Sequence, residues 1–141
     1  MTYENLLQEA TDDGYTVIEK CFKSRARGLC KGSRIGICQN LLSNEKLCTL
    51  AEEMGHAKLT VGNIIDQTGI GNMKQEHKAR CWAYRKLVSP EDICNAVKNG
   101  CHEIYEFAEA LDLPEDFLQG CIAYYKGNNA IDLPKGVKTE L

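Results

Sequence analysis

The residues in this chain with the clearest potential for chemistry are Glu52, Glu53 and His56, within Leu50-Ala51-Glu52-Glu53-Met54-Gly55-His56. The pattern H-E-x-x-H places two imidazoles one helical turn apart, where both can ligate zinc, and follows the first with a glutamate that takes a proton from metal-bound water. Glu53 and His56 stand in register as that glutamate and the second histidine, while Glu52 holds the first histidine's place. A carboxylate also ligates zinc, as a harder donor than imidazole. It makes the site more negative, so bound water is less acidic and a carbonyl less polarised. Slow turnover is expected of such a site.

These residues need a helix, and the sequence supplies one. From about Glu45 to Ala57, with Ser43 or Asn44 as cap, Leu47, Leu50, Ala51 and Met54 recur on one face. Glu52, Glu53 and His56 fall on the other. Taken alone, such a trio reads as a solvated polar face. Before it, residues 3–13 read as a short helix ended by Gly14, and Tyr15–Lys20 as a strand. Leu29-Cys30 and Arg34–Cys38 flank Lys31-Gly32-Ser33, the pattern of a hairpin. Together these give a three-stranded sheet over residues 15–39.

After the motif helix, residues 58–74 are glycine-rich and read as an irregular connection containing Asp66. A helix from about Lys74 to Leu87 puts Glu76, Ala79, Arg80 and Ala83 on one face, where the alanines would admit a second helix at close range. Trp82 reads as core, and His77 and His102 as surface residues. Ser89-Pro90-Glu91-Asp92 starts a further helix that Gly100 ends. Two more follow, from His102 to Leu111 and from Pro114 to Tyr125. The expectation is an α+β fold forming one domain over residues 1–126, with residues 127–141 as a flexible tail.

With 43% apolar and 26% charged residues among 141, the chain has ordinary globular composition and enough length for one core. Its net charge of -3 argues against nucleic acid as a partner, and no run is long and apolar enough to span a membrane. The N-terminus lacks the pattern of a signal peptide, which points to the cytoplasm. The eight cysteines form no C-x-x-C pair, so they are expected as reduced thiols.

The order of helix, small sheet, motif helix and then Glu76-x-x-Ala79-x-x-Trp82-Ala83 resembles the ImmA/IrrE family of metallo-endopeptidases. The phrases Thr60-Val61-Gly62-Asn63-Ile64 and Lys74–Tyr84 look like its short members from mobile elements, and the resemblance covers roughly residues 3–125. It implies a minimal zincin-like core, with His56 and Glu76 as zinc ligands, Glu52 in the remaining ligand's place and Glu53 as general base. It also implies a prophage or similar mobile-element setting. The target there would be a helix-turn-helix repressor, removed to relieve repression.

Two readings from other classes stand beside it. A non-catalytic binding module on the same fold would carry Glu52 and Glu53 as mere polar residues. A DNA-binding regulator would use the helix pair around Asp112-Leu113-Pro114. Six acids and no Lys or Arg between His102 and Tyr125 oppose that second alternative, because they would repel phosphates.

Overall fold

A computed structural model of the chain describes residues 1–60 and 69–139. The fold is α+β, with a small three-stranded mixed sheet and six helices among the described residues. None of those helices is long and apolar enough to cross a membrane. The chain divides into two compact units, Met1–Ala83 and Tyr84–Leu141.

The first unit opens with α1 (Tyr3–Asp12), capped by Thr2, which shares a capping box with Asn5. Gly14, at φ +91°, lets the chain turn out of the helix. Strand β1 (Thr16–Lys20) follows, then β2 (Gly28–Lys31) and β3 (Arg34–Cys38). The hairpin expected at Lys31-Gly32-Ser33 is present. Gly32 takes a positive φ of 61° at the first central position, which suits the twist of paired strands. The strand order is β1-β3-β2, with β3 antiparallel to β2 and parallel to β1.

Period-two alternation turns Ile35 and Ile37 of β3 into the core, where both are buried, and leaves Arg34, Gly36 and Cys38 on the other face. Across the core lies α2 (Ser43–Thr60), the motif helix. Its expected apolar face, Leu47, Leu50, Ala51 and Met54, is buried throughout. The helix starts earlier than Glu45 because the Glu45 carboxylate reaches back to accept from the Leu42 N–H at 3.0 Å, which supplies the cap that Leu42 cannot. It also runs through Thr60, past the expected end at Ala57.

Helix α3 (Gly69–Leu87) begins five residues before Lys74. The irregular connection expected over 58–74 is therefore helical at both ends; its middle, with Asp66 and Val61–Ile64, lies outside the described residues. Trp82 is half-buried rather than core, with the Lys58 ammonium 5.8 Å from its ring centroid. Ala79 and Ala83 are fully buried. They admit α2 at close range: a Cβ built on Gly55 would lie 2.7 Å from the Ala79 carbonyl oxygen.

The second unit holds α4 (Pro90–Lys98), α5 (Ile104–Leu111) and α6 (Glu115–Gly127). Ser89 caps α4 and shares a capping box with Asp92, and Gly100 ends the segment at φ +99°. The buried centre contains Ile93, Phe107, Leu118 and Ile122, with Tyr84 edge-on to Phe117 at 5.1 Å. The residues after α6 are not loose along their length. Ile131 and Thr139 are buried, and the Lys138 N–H donates to the His102 carbonyl at 2.6 Å. An apolar anchor and a backbone bond outweigh the turn-rich composition there. All eight cysteines are free thiols.

The Gly55–Ala79 approach makes a clear prediction. Gly55→Ala gains about 1 kcal/mol of helix propensity. The added methyl must push backbone against backbone, an overpacking that costs about 1–3 kcal/mol or more. Net destabilisation is expected in denaturant unfolding, and an unchanged or raised midpoint would refute the close crossing.

Candidate functional site

The α2–α3 crossing brings together the residues singled out in the sequence. His56 follows Gly55 at the crossing, and Glu76 precedes Ala79 by three positions on α3. The result is an approach of His56 Nε2 to Glu76 Oε1 at 3.3 Å. The imidazole is largely packed, its side chain 20% exposed, whereas the Glu76 side chain is 59% exposed. The pair is therefore rigid on one side and open to solvent on the other.

Glu53 lies on the same helix and is mostly shielded. Removal from water pushes its carboxyl up to about 7, and the negative charges of Glu76 and then Glu52 push in the same direction. Glu52 is half-buried one turn before His56. Two further residues belong to this neighbourhood, and the motif did not reveal them. A Cβ on Gly28 would lie 2.6 Å from Thr49 Cγ2 and 3.1 Å from Glu53 Cγ, so β2 passes directly over α2 at Glu53. Cys30, the next β2 residue on that face, has its thiol raised by burial and by the charge of Glu53. The only sequence signal for this was the glycine in a strand, a mark of close backbone approach.

Strand β2 is an edge of the sheet. The Cys38 N–H donates to the Arg27 carbonyl at 2.8 Å. By the alternation of an antiparallel ladder, the backbone polar groups of Gly28 and Cys30 then point away from β3. They form a short row of donors and acceptors beside Glu53.

Whether these side chains suit a metal can be tested on geometry. Two ligands of a tetrahedral zinc, with bonds of about 2.0–2.2 Å, stand about 3.3–3.6 Å apart. The His56–Glu76 separation has that length, which an ordinary ion pair also has. Among the described residues, no group of three or more His, Cys, Asp or Glu side chains is placed to hold a metal ion. The fit thus extends to the pair, and Glu52 is not gathered with it. His77 points elsewhere, its Nε2 3.5 Å from Cys81 Sγ, and His102 is exposed in the second unit.

Comparison with known protein families, with characterised proteins and with solved structures gave no match.

The raised Glu53 carboxyl has a consequence for stability. Its folded value, about 7, lies above the unfolded 4.5. The folded state therefore binds this proton more tightly, and the associated stability is complete below pH 4.5 and lost as pH rises through 7. The difference of about 2.5 units corresponds to no more than about 3 kcal/mol, less what residual solvent screens. With chelator present, Glu53→Gln should match wild type in stability below pH 4.5 and exceed it by up to that amount at about pH 8. Equal differences at both pH values in denaturant unfolding would show that Glu53 is not desolvated.

Proposed function

We propose that this chain is a metal-dependent endopeptidase, with His56, Glu76 and Glu52 as zinc ligands and Glu53 as general base. The observation that carries this reading is the juxtaposition of His56 with Glu76 beside a shielded Glu53, across two helices that touch at Gly55 and Ala79. Glu52 would complete the ligand set from one turn away on the same helix.

A zinc bound there would supply water of lowered pKa and polarise the scissile carbonyl. The chain's own residues account for the remainder. The Glu53 carboxylate accepts the proton of the attacking water and returns it to the leaving amine nitrogen. Shielding keeps bulk water from competing for that proton. The outward N–H and C=O groups of Gly28 and Cys30 hold an extended peptide as a further strand beside Glu53. The proposed substrate is a helix-turn-helix repressor of a prophage or related element in the cytoplasm, on the strength of the ImmA/IrrE resemblance.

One observation favours a second reading. Glu52, in the first histidine's place, is not gathered with His56 and Glu76. On that ground the alternative is a regulatory binding module with a degenerate metal site.

Metal analysis of protein purified without chelator separates the two. The enzyme reading expects about one zinc per chain, lost in His56→Ala and in Glu76→Ala. Glu53→Gln should keep the metal and lower cleavage of a co-expressed repressor by about 10²–10⁴-fold, since an amide cannot take the water's proton. Wild type that takes up no zinc at micromolar supply leaves the binding module in its place.

A further inference from the structure

The net charge of -3 averages over a chain whose charges are unevenly placed. Between Lys20 and Arg34 there are six bases and no acid: Lys20, Lys23, Arg25, Arg27, Lys31 and Arg34. All six are exposed. The register locates three of them, Lys20, Lys31 and Arg34. Ile18 of β1 and Leu29 of β2 both pair with Gly36 of β3, on the face turned away from α2. Lys31 pairs with Arg34 on that same face, and Lys20 with Cys38. The loop between β1 and β2 carries Lys23, Arg25 and Arg27, and Arg27 approaches the Glu45 carboxylate at 4.0 Å.

The middle of this face is apolar. Ile18 and Leu29, on the two strands that flank β3, are each 53% exposed. Between them Gly36 has no side chain, and the Phe22 ring lies across it: a Cβ there would come within 3.2 Å of Phe22 Cζ. The Lys20 ammonium stands 5.3 Å from that ring's centroid. The result is an apolar and aromatic patch that shares its face with Lys20, Lys31 and Arg34, next to a basic loop.

We propose that the outer face of the β-sheet binds single-stranded nucleic acid. A single strand offers both complements at once, phosphates for the cationic side chains and unstacked base faces for Phe22, Ile18 and Leu29. A duplex hides its base faces and would leave the apolar centre uncovered. The proposal is independent of the peptidase reading, since this face is opposite the one that meets Glu53.

The sequence-independent backbone contribution permits a generic probe. Full-length protein is titrated against labelled oligo-dT and oligo-U of about 20 nucleotides, and against a duplex of similar length, by fluorescence anisotropy. Contacts with about four phosphates predict roughly 50-fold weaker binding between about 50 and 200 mM salt. The combined variant Lys23→Glu, Arg25→Glu, Lys31→Glu should abolish binding while keeping the wild-type unfolding midpoint, because all three side chains are exposed. Phe22→Ser, which changes no charge, should weaken it about tenfold. Three results would overturn the proposal: no binding at the lower salt, undiminished binding by the charge-reversed variant, or a duplex bound as tightly as the single strands. Competition by a poly-glutamate peptide of equal charge, as effective as the oligonucleotide itself, would also overturn it and assign the face to an acidic protein.

Discussion

The contact on which the first unit's chemistry depends is the one between Gly55 and Ala79. Helices pack at a separation set by the side chains between them, about 8–10 Å. Only a residue without a Cβ lets α2 come onto the backbone of α3 at this point. Side chains near such a contact, His56 and Glu76 among them, are brought within bonding distance without leaving their helices. With a larger residue at position 55 the same two side chains would still sit on facing helices, but farther apart. The glycine inside the motif is therefore as much part of the site as its carboxylates.

A second close approach works the same way from the sheet. Gly28 lets β2 settle onto Thr49 and Glu53, and this strand helps to take Glu53 out of water. Among the described residues no strand pairs with the far side of β2. Its position comes from the hairpin to β3, and β3 is anchored by Ile35 and Ile37 in the core. Shielding of Glu53 is thus transmitted from two isoleucines through a two-residue turn.

How much of this could be read from the sequence differs by element. The apolar stripe of α2 and the alternation in β3 are periodic signals, and both faces are buried as expected. The hairpin followed from Gly32, whose positive φ few other residues accept. Less legible were features set by tertiary contacts. The start of α2 depends on the Glu45 side chain reaching back to Leu42. The anchoring of Ile131 and Thr139 depends on a surface that composition does not encode. The closeness of His56 to Glu76 was suggested by small residues on α3, whereas the passage of β2 over Glu53 had only a strand glycine to announce it. The basic face was hidden for another reason. Six bases with no acid among them are visible over residues 20–34, but only the register puts Lys20, Lys31 and Arg34 on the face of Ile18 and Leu29.

The two faces of the sheet also differ in electrostatic sign, and this constrains what each can attract. On the α2 side, removal from water raises the Glu53 carboxyl, and the charges of Glu76 and then Glu52 add to the rise. Like charges in a shielded site are relieved only by a proton or another cation. On the opposite side Lys20, Lys31 and Arg34 face water, next to the basic loop of Lys23, Arg25 and Arg27. No base figures among the causes that shift Glu53, which are burial, Glu76 and Glu52. The acidic side therefore selects for a proton or another cation and the basic face for anions, each by its own local charge.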